Sequence, residues 1–257
     1  MDLSFTAVAA FTGVIALVWL CVFVLQYREG HDVYVGKWRI VWGAYFARCL
    51  ALLLADRWNG DGALDWVARF AFVCVAWALV RSSQSARDRS LRRPDWIFLA
   101  AGALWSTLDL WNAPHGSYRA WELGPWRLPY VSSSFGVAIA FAFAAVRFYR
   151  LGARRHSRGK QWMAASLALW SAMLIALQIM LTATQSGYPV PLAFLNLLLA
   201  ASPLPNILLG ISMLSVLFER DRRTIQENLL AFATLNVDRT RLLTLKSPFP
   251  HFAGDFT

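Results

Sequence analysis

Apolar residues in this chain come in long runs separated by short polar stretches. The runs are too long for strands, and too evenly apolar for the one-sided helices of a water-soluble domain. A helix needs about 20 mostly apolar residues to cross ~30 Å of hydrocarbon. Seven runs reach or approach that length: 6–26, 38–56, 63–80, 96–112, 130–149, 162–184 and 190–217. Each predicts a helix. The fold class expected is therefore all-α, an integral membrane bundle of seven transmembrane helices. The second, third and fourth runs contain charges and are the least apolar. The seventh is too long for one straight span and contains "SPLP" at 202–205. Pro203 and Pro205 each remove a backbone donor and crowd the preceding turn, so a break is expected within 201–206.

Composition agrees with a bilayer as solvent. Of 257 residues, 58% are hydrophobic and 16% charged, with mean hydropathy +0.44; ordinary soluble domains carry about 25% charged residues. Trp38, Trp66, Trp96, Trp111, Tyr130 and Trp162 fall near run ends, as an aromatic belt at the headgroups would have them. Cys21, Cys49 and Cys74 lie inside apolar runs and read as small buried side chains. The acidic start "MDLS" and the full length of the first run give no expectation of a cleaved signal peptide.

The net charge of +10 is an orientation signal rather than a nucleic-acid footprint. Sorted by connecting segment, twenty of the Lys and Arg residues fall on one side of the expected bundle and three on the other. Cytoplasmic loops retain Lys and Arg. The expected topology has the N-terminus outside and the C-terminus in the cytoplasm. Contact with anionic lipid is a secondary reading of the same charge. The remaining two, Arg48 and Arg69, lie within runs.

Ionisable groups at bilayer depth are costly and mark candidate sites. Arg48 lies near mid-depth of its run, while Asp65 and Asp109 lie toward the outer face. Asp65 and Arg69 stand four apart on one helix face and could pair with each other. Pairing Arg48 with Asp109 would create a polar spot able to bind an anion or a small polar signal; a plain interhelical salt bridge is the alternative. Gln178 and Asn196 read first as packing residues. The outer stretch 113–129 carries Trp121 and Trp126, and suits a lid over a ligand pocket as well as a loop lying in the headgroups.

Beyond the last run, Ile211, Phe218, Ile225 and Phe232 recur every seven residues, interleaved with Leu214, Asp221, Asn228 and Leu235. That is a heptad seam with two polar positions. It predicts a signalling helix that forms a homodimer through 211–235 and passes a shift across the membrane surface. An amphipathic helix lying on the bilayer is the alternative. The organisation expected is a sensor domain at 1–217, a cytoplasmic signalling helix at 218–243 and an irregular tail at 244–257.

The segment "LFERDRRTIQENLLAFATLNVDRTRLL" resembles the exit helix of multi-span bacterial membrane sensors. In that family such a helix leads to a diguanylate cyclase (GGDEF) or histidine kinase domain. The resemblance implies signal transduction to a cytoplasmic output. This chain carries no "GGDEF" stretch, no phosphoacceptor segment and no nucleotide-binding glycines, so a sensor lacking its output domain, or one acting with a separate output protein, is expected. No catalytic motif, cofactor or metal site is expected. Lys37, Lys160 and Lys246 all lie outside the runs, which excludes a retinal Schiff base. His31, His115, His156 and His251 do too, which excludes haem ligation within the spans. The competing function is a secondary transporter or channel-like protein using the broken seventh helix.

Overall fold

The computed structural model describes residues 3–30, 33–58, 62–84, 93–112, 121–123, 126–128, 131–186, 188 and 191–245. The described chain is helical: α1 (Leu3–Gly30), α2 (Val33–Arg57), α3 (Gly62–Gln84), α4 (Arg93–Asn112), α5 (Ser133–Arg155), α6 (Arg158–Gln185), α7 (Leu192–Ala201) and α8 (Pro203–Leu245). One small antiparallel hairpin, β1 (Trp121–Leu123) and β2 (Trp126–Leu128), interrupts the series, with Glu122 opposite Arg127. It falls in the stretch expected to be a lid or headgroup loop. The side chains of Trp121 and Trp126 lie outside the described residues, as does the tail from 246 onward.

Six helical segments are long and apolar enough to cross a membrane: Thr6–Arg28, Val35–Arg57, Gly62–Gln84, Ser133–Arg154, Arg158–Gln185 and Asn196–Leu235. The bundle's outer surface fits a lipid solvent. Phe11, Val14, Ile97, Leu104, Ile139 and Ile179 are each more than half exposed, an apolar covering that water would not tolerate. Serines, by contrast, face inward between helices. Ser171 donates to the carbonyl of Ala138 at 2.8 Å, and the Ser166 and Ser212 hydroxyls meet at 3.4 Å. In hydrocarbon, such polar contacts and close backbone approach hold helices together. Gly159 lets one backbone come close to another: a Cβ there would stand 2.7 Å from the Val216 nitrogen of α8.

Neighbouring helices form a ring, α1–α2–α3–α5–α6–α8, closed by contact of α8 with α1. α4 packs on the outside of this ring, against α3 and α5. Aromatic side chains fill the middle. Tyr45, Phe72, Phe141 and Trp170 meet at centroid distances from 4.7 Å (Phe141–Trp170) to 6.4 Å (Tyr45–Phe72). Trp38 departs from the expected belt. It is 1% exposed and packs edge-on against Phe23 at 5.5 Å, because α2 runs on past Trp38 to Val33 instead of starting there. Trp96, Trp111 and Trp162 are exposed; Cys21 also faces outward, while Cys49 is buried.

The α5–α6 connection is tighter than a loop. His156 takes a left-handed conformation (φ 48°), and the Ser157 N–H donates to the Gly152 carbonyl at 2.9 Å, a Schellman-type stop. Ser157 then caps α6, accepting from the Lys160 N–H. The basic residues of 147–161 therefore sit mostly on helix ends. In the long last run, helix gives way to a turn at Ser202, and α8 begins at Pro203. Proline fits that first-turn position because its missing N–H would have no partner there.

Candidate functional site

α4 lies antiparallel along α3 for its whole length, fastened by named contacts. Near one end, the Trp66 indole donates to Thr107 at 3.0 Å, and Arg69 Nη1 stands 3.5 Å from Asp109 Oδ2. Midway, Gly102 sits against Val73, where an added Cβ would come within 2.3 Å of Val73 Cγ1. At the other end, Arg81 Nε stands 3.3 Å from Asp95 Oδ1, which also accepts from the Trp77 indole at 3.2 Å.

The pairing differs in detail from the sequence expectation. Asp109 takes Arg69 as its ion-pair partner, so Arg69 reaches across to α4 rather than along its own helix to Asp65. Asp109 is fully buried, and the same Oδ2 accepts from the Ser133 N–H at 2.9 Å. Ser133 opens α5, so the carboxylate lies at the positive end of that helix, where an anion is favoured. One residue earlier, the N–H and hydroxyl of Ser132 both donate to Gln178 Oε1, at 3.1 and 2.8 Å. The start of α5 is thus tied to α4 and α6 at once.

Beside this anchor lies a cavity of about 170 Å³, lined by Arg48, Asp65, Arg69, Phe72, Ser133 and Ser134 among others. The Arg48 guanidinium carbon stands over the Phe72 ring, 3.8 Å from its centroid, a favourable placement for a cation. Phe72 both lines the cavity and belongs to the central aromatic group. Arg48, Asp65 and Arg69 line one space, and Asp109 backs it through Arg69. Among the described residues, no group of three His, Cys, Asp or Glu side chains could hold a metal.

Two polar features connected with α8 have partners that the sequence does not indicate. The buried Asn206, in the first turn of α8, donates from Nδ2 to the Tyr45 hydroxyl at 3.0 Å and to the Ser202 carbonyl at 3.2 Å. Tyr45 lies one turn from Arg48 on α2. Farther along, Glu219 accepts from the Ser157 hydroxyl and from the Gly159 N–H at 2.8 Å, so its carboxylate sits on the N-terminus of α6. An Asn soon after a proline break, and an acid at the end of an apolar run, were the available signals; neither says which partner it meets.

Past Glu219, α8 leaves the bundle without interruption. It is 43 residues long, roughly 65 Å at 1.5 Å per residue. Phe218, Ile225, Leu229, Phe232 and Leu235 are each more than half exposed, and Asn228 is exposed with them. Ile211, still beside the bundle, continues the same line and is 51% exposed. In comparisons with known proteins, no family model, curated protein or solved structure matches the chain.

Proposed function

We propose that this chain is a seven-span sensory module of a bacterial inner membrane. It receives a small signal in the cavity beside Arg48 and passes it through α8 to a cytoplasmic output. The observation that carries the reading is the continuity of α8. One helix carries the buried Asn206 in its first turn, bonded to Tyr45 one turn from Arg48, and goes on as an exposed apolar line beyond the bundle. A displacement at the cavity has a rigid element to act on, which is what relay across a membrane needs.

The seven-span count rests on α4. It falls short of the other helices in apolarity because of Asp95, Asp109 and their polar neighbours. Those two acids, however, face arginines on α3, and α4 follows α3 from Arg81 to Trp66. A helix laid along a spanning helix for that length crosses with it, and pairing lowers the cost of its charges. Seven crossings put the basic ends of α3, α5 and α8 on one face, the cytoplasmic one.

The Ile211–Phe232 line is the homodimer seam, with Asn228 and Asp221 as polar positions that hold two registers close in energy. Single cysteines at Phe218, Ile225 and Phe232, in a chain cleared of its own three, should cross-link between copies in native membranes. Control cysteines at Arg220 and Glu227 should not. Monomers at all three seam positions would sink the relay. The transporter reading draws on the turn at Ser202 between α7 and α8, where half-helix ends could meet a solute. Substrate uptake into proteoliposomes would favour it.

A further inference from the structure

We infer that Glu219 is a latch that sets the rotation of α8 where that helix leaves the bundle. The inference deepens the relay reading and rests on it only for what the turning helix would signal. The contact has two prongs. One carboxylate oxygen accepts from the Ser157 hydroxyl and the other from the Gly159 N–H at 2.8 Å. Two bonds to one planar group fix its direction as well as its position. Both donors belong to the start of α6, where the helix end favours an anion. The Ser157 hydroxyl also accepts from the Lys160 N–H at 3.4 Å, which leaves its own proton for Glu219. The same side chain therefore caps α6 and holds α8.

The surroundings of the bond allow one setting of α8. A Cβ at Gly159 would meet the Val216 nitrogen at 2.7 Å and the Ser215 carbonyl carbon at 3.0 Å, so α6 and α8 touch there backbone to backbone. Val216 stands three residues before Glu219, on the same helix face. The α5–α6 corner is itself tied, through the left-handed His156 and the Ser157 N–H bonded to the Gly152 carbonyl. Farther on, every residue from Arg220 to Leu235 is exposed, and that stretch inherits its rotation through the helix. Phe218, 68% exposed, lies about 100° round the helix from Glu219. Ile225 and Phe232 follow at intervals of seven, drifting only ~20° per heptad. The latch therefore decides where the whole apolar line faces. Glu219 is half-buried and its two donors are uncharged, so water can replace them, and the contact can open without unfolding the bundle.

The test uses the full chain in lipid nanodiscs, cleared of its own three cysteines and carrying paired spin labels. One label replaces the exposed Tyr149 of α5. The other replaces Thr224 or Gln226, both exposed and about 200° apart around α8. Labelled chains are diluted with unlabelled ones, so each distance lies within one chain. The parent should give one narrow distance for each pair. Glu219→Ala should let α8 turn, moving the two distances in opposite directions by on the order of 5 Å, for a helix roughly 10 Å across. Gly159→Ala should do the same with the carboxylate still present, because the atoms its methyl meets are backbone. Glu219→Gln keeps one acceptor and should show parent and shifted distances together. Unchanged distances in Glu219→Ala, with the melting temperature confirming the fold, would overturn the inference. So would a shift of the same sign at both positions, which marks a tilt. If Glu219→Ala does not fold, Gly159→Ala and Glu219→Gln decide by the same two criteria. Dimer cross-linking is scored separately: a chain that turns but stays monomeric keeps the latch and refutes the relay, and cross-linked dimers with unmoved distances do the reverse.

Discussion

The two ion pairs that join α3 to α4 use the same residue types, an arginine on α3 and an aspartate on α4, yet they lie in different surroundings. Arg81–Asp95 is closed. Its side chains are 10% and 9% exposed, Asp95 also accepts from Trp77, and the Arg81 carbonyl accepts from Lys37. Arg69–Asp109 is asymmetric. Asp109 is fully buried and bonded to the start of α5, while Arg69 is 20% exposed and lines a cavity with a second arginine. A charge inside a membrane helix is therefore not by itself a functional site. A saturated pair fastens two helices; a pair with one member facing a cavity can also meet a ligand.

The largest effects should come from removing one aspartate. Asp109→Leu removes the ion-pair acceptor of Arg69 and the acceptor of the Ser133 N–H, and Asp95→Leu removes the ion-pair acceptor of Arg81. Breaking a buried pair from one side costs about 3–5 kcal/mol, and Asp109 should fall at the upper end because it also loses the helix-start bond. Asp95 should fall at the lower end, because Arg81 sits at the basic end of its helix and can extend its head toward the headgroups. Unfolding in lipid nanodiscs by a graded denaturant measures both. A larger loss for Asp95→Leu would reverse the ranking.

How much of this was legible in the sequence follows the same division. Run length and apolarity indicated membrane helices, and the prolines at 203 and 205 pointed at the place where α7 ends. Arg48, Asp65, Arg69 and Asp109 stood out because charge is rare in such runs, and the fold brings Arg48, Asp65 and Arg69 to one cavity with Asp109 behind. Their pairing was not legible. Sequence spacing favours Asp65 with Arg69, whereas α4 docks on α3 so that Arg69 meets Asp109. Arg81 counts from sequence as one of the basic loop residues, and Asp95 does not stand out. They lie at run ends, where charges look like loop residues, and only the extension of α3 to Gln84 and of α4 back to Arg93 makes them interhelical. Asn206 and Glu219 share that difficulty: each bonds to a residue more than fifty positions away, a contact with no local pattern.

A smaller effect should follow from wedging α3 and α4 apart between the pairs. Gly102→Ala places a methyl within 2.3 Å of Val73 Cγ1, so the helices must separate or Val73 must turn. Overpacking of this kind costs about 1–3 kcal/mol. Both pairs should loosen, but of the two only Arg69–Asp109 borders the cavity. Ligand affinity should fall in Gly102→Ala and recover when Val73→Ala is added. Unchanged affinity would mean the cavity does not depend on how α4 is seated.

The smallest effect on stability is expected where a closed pair is replaced as a whole. Exchanging a buried ion pair for apolar residues of similar size is often neutral or stabilising, because the desolvation of two charges is recovered. Arg81→Met with Asp95→Leu should therefore leave stability within about 1 kcal/mol of the parent, the lost Trp77 bond being offset by that relief. Arg69→Met with Asp109→Leu should not be neutral. It leaves the Ser133 N–H buried without an acceptor, at about 1–3 kcal/mol, and removes one charge of each sign from the cavity's surroundings. The Arg81→Met/Asp95→Leu double variant should keep ligand binding and the Arg69→Met/Asp109→Leu one should lose it. If both doubles kept binding, Asp109 and Arg69 would be a fastening like their counterparts at the other end of α4, and Arg48 and Asp65 would have to hold the ligand without them.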